Sequence, residues 1–319
     1  MLPLKQIRPG RPRKEAPCDP SYPSSWPFAT VLLGAPLHAA EPMRLLIDAD
    51  TANEVDDPYA IVRALIAPEL EVVGLAAAQW QVSHWTTPTS MEDSHRLNQV
   101  LLGYLDRMDI PHPRGSAARL YDWGELAQHC HAAYFLIEQA HATPPGEKLT
   151  VAVLGAATNV ASALLIDPSI APKIRVYFLG TAYDHAKGAW HRLDFNVMND
   201  PRALQVMLDA EELELHVMPN TVAGAMRFEM EEVREKFRGG TPLLDFLVDR
   251  WVQHVDPGRY SRTIWDLSVI EAILHPDLAA EEEVPTPPEA TARKVWMYTS
   301  IDVVAMKEDF FAAVEGYFE

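Results

Sequence analysis

This chain should fold as an α/β protein, with a mostly parallel sheet flanked by helices. Three observations say so. From Met43 onward, short apolar or β-branched runs alternate with longer amphipathic stretches, which is the pattern of successive βα units. The first of these runs ends directly in a group of carboxylates, and parallel α/β sheets bind ligands at the carboxyl ends of their strands. At 319 residues and 48% apolar, the chain is also long enough to bury a sizeable core.

Taken in order, residues 1–42 differ from the rest. They hold nine of the 26 prolines and five basic residues against three acids. Trp26 to Leu37 is a short apolar stretch that follows basic residues and precedes Ala39 and Ala40, so it resembles an export signal. An upstream start ahead of a functional Met43 is the alternative. Both place residues 1–42 outside the fold and 43–319 in one catalytic domain, exported in the first case and cytoplasmic in the second. Strands are expected at 44–48, 71–77, 149–154, 174–179 and 213–217, where β-branched and apolar residues are concentrated. Helices are expected at 57–67, 90–107, 126–142, 158–165, 200–208, 230–237, 243–255 and 266–273 from their apolar spacing. The Pro- and Glu-rich segment 281–288 reads as a solvated loop. Several helices in succession after Asp184 suggest a helical C-terminal portion.

Charge narrows the function. With 27 basic and 45 acidic residues the formal charge is -18, which argues against a nucleic-acid partner, since such proteins usually present a basic stripe to phosphates. No apolar run approaches the roughly 20 residues needed to span a bilayer. Cys18 and Cys130 are the only thiols, too few for a disulfide framework or a Cys-based zinc site.

The most informative segment runs from Leu45 to Ala60. An apolar strand ends in Asp48 and Asp50, a short loop follows, and Asp56 and Asp57 open a helix. Helix capping accounts for one or two of these acids, but not four. Carboxylates gathered this closely repel one another, and a hard, oxygen-seeking cation such as Ca²⁺ or Mg²⁺ keeps them ionised together. Asp48-Ala-Asp50-Thr51 partly matches the opening of haloacid-dehalogenase-type phosphatases, with Asp48 as nucleophile, but a second acidic pair late in the core is missing.

Three downstream segments favour another family. Leu154-Gly-Ala-Ala-Thr158-Asn159-Val follows an expected strand, Asp194-Phe-Asn196 precedes Asp200-Pro201, and Trp265-Asp266 comes late in the chain. In this order, behind the four-Asp cluster, they resemble the motifs of the inosine–uridine-preferring nucleoside hydrolases. Each alone would pass for strand-to-helix turn or helix-start chemistry. The resemblance implies a Rossmann-like core, hydrolysis of the N-glycosidic bond of a ribonucleoside, and a homodimer or homotetramer.

It further implies that Asp50, Asp57, Asp266 and the main-chain oxygen of Thr158 hold Ca²⁺, with Asp48 in support. Asp50 would take a proton from the attacking water, and Asp56, Asp194 and Asn196 would hold the sugar hydroxyls. Three positions depart from the family pattern. Trp265 stands where many members have a His proposed to protonate the leaving base, Asp194 replaces a Glu, and Trp80-Gln81 replaces a Gly-Asn, making Gln81 the candidate sugar contact. His185 and His191, in a loop expected to border the pocket, are the candidate replacement acids because imidazole titrates near neutrality. Trp80, Trp85, Tyr183 and Trp190 are candidates for stacking on a base. A relative that binds a riboside and Ca²⁺ without turnover is the non-enzymatic alternative.

Overall fold

The computed structural model describes residues 41–318 apart from 125, 238, 255–257 and 259. The proposed export signal and Cys18 lie outside the described residues. Strands are β1 Met43–Ala49, β2 Leu70–Ala77, β3 Leu149–Val153, β4 Ile174–Leu179, β5 Ala182–Asp184, β6 Ala189–His191, β7 Glu214–Met218, β8 Arg227–Glu229, β9 Ser261–Thr263, β10 Ala279–Pro285 and β11 Lys294–Ile301. Seven of them form the main sheet in the order β10-β11-β7-β4-β3-β1-β2, all parallel except β10 against β11. β5 with β6 and β8 with β9 form small antiparallel pairs.

Alternation along the strands builds two core layers. Leu45 and Ile47 of β1 face one layer, formed around the helices Asp56–Ile66, Leu267–Leu274 and Val303–Phe318, while Leu46 faces the other. Val151 and Val153 of β3 and Val176 and Phe178 of β4 join Leu46, against the helices Thr158–Ile166 and Pro201–Asp209. Covered on both faces, the central strands read as nearly unbroken apolar runs. The helix Asp56–Ile66 is buried along its whole length, including Arg63, whose guanidinium sits 3.0 Å from Glu271.

All five expected strands and all eight expected helices exist, two of them (174–179 and 230–237) with the expected bounds and the others with shifted ends. The helix expected from Leu126 begins only at His131. Ahead of it, the Gln128 amide donates to Ser162 Oγ at 3.1 Å, which holds the segment in an irregular path. The expected solvated loop at 281–288 is wrong, because Glu281 to Pro285 belong to β10. As the edge strand of the sheet, β10 turns Glu281, Glu282 and Glu283 to solvent, and charges on an edge deter pairing with another chain. The portion after Asp184 therefore supplies three strands of the main sheet, β7, β10 and β11, as well as helices, and the helix Val303–Phe318 was not anticipated.

Candidate active site

β1 runs out at Ala49 between β2 and β3, so its last residues meet the ends of both neighbours. Leu154 N–H donates to the Asp48 carbonyl at 2.8 Å, and Ala78 N–H donates to the Ala49 carbonyl at 2.8 Å. The chain then turns through residues 51–55 into the helix that Asp56 and Asp57 open. That turn is anchored from several directions. Thr51 Oγ1 donates to Asn98 Oδ1 (2.6 Å), Trp85 Nε1 donates to the Asn53 carbonyl (2.8 Å), and Arg250 Nη2 donates to the carbonyls of Ala52 (2.6 Å) and Glu54 (3.1 Å). A loop so held fixes the acids at both of its ends.

The result is a cavity of about 220 Å³ lined on one side by Asp50, Asn53, Glu54, Asp56, Asp57 and Asp266. Carboxylate oxygens of Asp56, Asp57 and Asp266 lie within 4.8 Å of one another. Asp50, Asp56, Asp57 and Asp266 are all buried. Burial is the first cause that raises their proton affinity, to about 7 for Asp56 and Asp57 and well above the usual carboxylate range for Asp50 and Asp266, where neighbouring carboxylates add to it. Asp50 Oδ2, Asp57 Oδ1 and Asn53 Oδ1 are buried with no hydrogen-bond partner. Unsatisfied buried oxygens call for an explanation, and a cation held here would supply one. An all-oxygen donor set of this kind suits a hard divalent ion.

The rest of the lining comes from the ends of β3, β4 and β7 (Leu154, Leu179 and Asn220) and from the start of the helix Phe195–Asn199 after β6 (Asp194, Phe195 and Asn196), with Leu193 at the rim and Trp265 beside Asp266. Asp194 caps the helix Phe195–Asn199 by accepting from Val197 N–H at 3.2 Å, and it accepts from Asn220 Nδ2 at 3.3 Å. Burial, the largest cause, holds its carboxyl up at about 6 against these bonds. Asn196 Nδ2 donates to the carbonyls of Leu154 (2.7 Å) and Leu179 (3.0 Å), tying two strand ends together.

Of the residues singled out from sequence, Asp50, Asp56, Asp57, Asp194, Asn196, Trp265 and Asp266 meet around this cavity. The others do not line it. Asp48 is buried behind Asp50, where its Oδ1 accepts from Asn159 Nδ2 at 2.8 Å, and burial pushes it up to about 7. Thr158 spends its hydroxyl on Asp200 Oδ2 at 2.7 Å, and it is Leu154, the first residue past β3, that reaches the cavity. Gln81 turns away to donate to the Ala117 carbonyl. His185 pairs with Glu282 of β10 at 2.9 Å, and His191 is an exposed residue of β6. Among the four stacking candidates, Trp80 is buried against Ser94, while Tyr183 and Trp190 pack on each other in the β5–β6 hairpin. Trp85 touches the site only through its bond to Asn53.

Asn53, Glu54 and Asn220 were missed. Asn220 had a signal: it lies two residues after β7, at the same strand-end level as Asp50. Asn53 and Glu54 had none beyond their place between the two acidic pairs.

Comparison with known proteins agrees with this picture. The family model described as "Inosine-uridine preferring nucleoside hydrolase" matches residues 45–304. The chain is 29% identical over 196 residues to "Probable uridine nucleosidase 2" of Oryza sativa subsp. japonica, a match covering 53% of this chain and 55% of that protein. It is 29% identical over 187 residues to "Uridine nucleosidase 1" of Arabidopsis thaliana, covering 51% and 52%. The chain thus spans about half the length of these curated relatives in the matches. Among solved structures, the plant nucleoside hydrolase PpNRh1 superposes with a TM-score of 0.68 at 19% identity, covering 87% of this chain and 99% of that one. The purine-preferring ribonucleoside hydrolase from Gardnerella vaginalis gives 0.67 at 18%, covering 86% and 98%. At such identities these two speak for a shared fold.

Proposed function

The chain belongs to the inosine-uridine preferring nucleoside hydrolase family, and from that premise we propose that residues 43–319 hydrolyse the N-glycosidic bond of a ribonucleoside or related N-riboside with the help of Ca²⁺. The observation that carries this reading is the group of buried Asp oxygens without partners at the end of β1, facing a cavity of about 220 Å³. Asp50, Asp57 and Asp266 would hold the ion. The main-chain oxygen best placed to complete the set is that of Leu154, which lines the cavity, rather than that of Thr158. Ca²⁺ bound here would ease deprotonation of a water and help seat the sugar.

The remaining steps belong to side chains. Asp50 accepts the water's proton as general base. Asp56 and Asp194 accept hydrogen bonds from sugar hydroxyls, and Asn196 and Asn220 set the wall against which the sugar is oriented, so the anomeric carbon is presented in one geometry. Positive charge that builds on the sugar in an oxocarbenium-like transition state is stabilised by the surrounding carboxylates. The phosphatase reading loses its support, because the Asp48 it needs as nucleophile is buried behind the cavity and bonded to Asn159. His185, His191 and Gln81 lie off the cavity and receive no role.

The test is release of reducing sugar from a panel of ribosides, with and without a calcium chelator, beside Asp50→Ala. Chelator-sensitive release that falls at least a thousandfold in Asp50→Ala is expected. Ca²⁺ binding with no release from any riboside would overturn the catalytic reading in favour of a binding protein. Light scattering would check the proposed homodimer or homotetramer.

A further inference from the structure

A second group of metal-binding side chains lies away from the cavity. The helix Leu267–Leu274 carries the buried Glu271 and leads into His275, about 13 Å beyond Asp266 at a rise of about 1.5 Å per residue. Asp309, from the helix Val303–Phe318, meets them there, and one donor atom from each of the three lies within 4.8 Å of the others. Arg63 orients both carboxylates: its Nε donates to Glu271 Oε1 at 3.0 Å and its Nη2 donates to Asp309 Oδ2. Each acid thus spends one oxygen on the guanidinium and keeps the other. Glu271 is fully buried, and its Oε2 has no hydrogen-bond partner. His275 Nε2 is buried without a hydrogen bond as well, although Asp309 Oδ1 lies 3.2 Å away. Buried polar atoms left in this way call for a partner.

The donor set decides which partner fits. One imidazole nitrogen with two carboxylate oxygens is a poor match for Ca²⁺, which takes about six to eight oxygens, and a good match for Zn²⁺. Zn²⁺ binds such donors at about 2.1 Å, so neighbouring donors of a tetrahedral site stand about 3.4 Å apart. The 3.2 Å between His275 Nε2 and Asp309 Oδ1 is close to that spacing. The side chains of His275 and Asp309 are 34% and 32% exposed, so an ion has a way in and a water can take the fourth position. We propose that Glu271, His275 and Asp309 form a Zn²⁺ site that joins the helices Leu267–Leu274 and Val303–Phe318, with Arg63 holding the two carboxylates in place. The site is separate from the cavity at the end of β1 and independent of the N-riboside reading. In the metal-free protein, a proton shared by the Glu271 and Asp309 carboxyls fills the gap, and Zn²⁺ replaces it, releasing that proton to solvent.

The experiment titrates Zn²⁺ by calorimetry into the full chain kept in excess Ca²⁺, beside His275→Ala, Asp309→Asn and Asp50→Ala. The expected result is a Zn²⁺ ion whose affinity falls at least about tenfold in His275→Ala and in Asp309→Asn, in keeping with the loss of a ligand, and is unchanged in Asp50→Ala. The unfolding temperature of the wild type should rise with Zn²⁺ beyond its value in Ca²⁺ alone, by mass action, and that further rise should be lost in His275→Ala. Co²⁺ added to the wild type should give the visible absorption of a tetrahedral ion, abolished by Zn²⁺, a readout that does not depend on how the variants fold. No Zn²⁺ binding by the wild type, or binding that His275→Ala and Asp309→Asn retain in full, would overturn the site. Binding lost in Asp50→Ala and kept in His275→Ala would put the ion in the cavity at the end of β1 instead. Wild-type Co²⁺ spectra of a six-coordinate ion would overturn the tetrahedral site of these three ligands.

Discussion

A single asparagine shows how much of the site depends on residues that never reach it. Asn159 Nδ2 donates to Asp48 Oδ1 at 2.8 Å and to the Ala77 carbonyl at 3.2 Å, while its Oδ1 accepts from Ser116 N–H at 2.8 Å. It therefore joins the ends of β1 and β2 to the start of the helix Thr158–Ile166. In Asn159→Ala those buried groups lose their partner, and each unsatisfied group costs about 1–3 kcal/mol. The expected outcome is a lower urea midpoint with unchanged slope, together with weaker Ca²⁺ binding, since Asp48 underlies Asp50. The legibility of the site follows the same division. Asp50, Asp57 and Asp266 could be picked out because acids crowded at a strand end have few explanations besides a cation. The roles of Asn159 and Asp200 could not, since Asn and Asp beside a helix start look alike whether they cap, bridge or bind. Asp200, buried, accepts from Leu120 N–H, Tyr121 N–H and Thr158 Oγ1, which makes it a structural hub rather than a ligand.

Elements meet closely at two places, and each yields an expectation. Gly155, in the turn after β3, faces the end of β1 so tightly that a Cβ there would come within 2.9 Å of Asp50 Cβ and 3.0 Å of its backbone nitrogen. Gly155→Val should push Asp50 out of position, reducing Ca²⁺ affinity at least tenfold by calorimetry while far-UV circular dichroism stays that of a folded α/β protein. The second place is where the helices Asp56–Ile66, Leu267–Leu274 and Val303–Phe318 converge on Arg63, Glu271, His275 and Asp309. Arg63 Nε lies 3.0 Å from Glu271, and His275 Nε2 lies 3.2 Å from Asp309. Burial, the main cause, raises the Glu271 carboxyl to about 8 from an ordinary 4.5; Arg63 opposes the rise and Asp309 adds to it. Because folding raises this value, the protonated group favours the folded state. Its contribution is whole below pH 4.5 and is lost as the pH climbs through about 8. Urea midpoints measured from pH 5 to 9 should therefore fall with pH in the wild type and fall less in Glu271→Gln.

Over the whole molecule, the proposed Ca²⁺ ion would link stability to function. Asp50, Asp57 and Asp266 come from the residue after β1, the first helix and the segment before Leu267, and their mutual repulsion opposes folding until a cation offsets it. Ca²⁺ that binds only the folded chain should stabilise it by mass action, about 2.7 kcal/mol at a hundred times its Kd. Thermal unfolding should thus shift upward on adding Ca²⁺ and return on adding chelator, and the shift should vanish in Asp50→Ala. An unfolding temperature indifferent to Ca²⁺ in the wild type would contradict a structural or catalytic ion at this site.

Periodicity and strand-end chemistry sufficed, from the sequence by itself, for the α/β class, the central strands 44–48, 149–154 and 174–179 and the acids that line the candidate metal site. These are local signals: a run of β-branched residues, an amphipathic spacing and a group of acids at a strand end do not depend on what packs against them. Only the tertiary structure decided that 281–285 is an edge strand, since an edge strand of three glutamates has no apolar face to announce it. It also decided that His185 and His191 leave the cavity on the β5–β6 hairpin, that Leu154 rather than Thr158 faces the site, and that Asn220 and Trp265 share its wall. The physical reason is the same in each case. Which way a loop side chain points depends on partners far away in sequence, such as Glu282 for His185 at a separation of 97 residues, and no local pattern encodes that meeting.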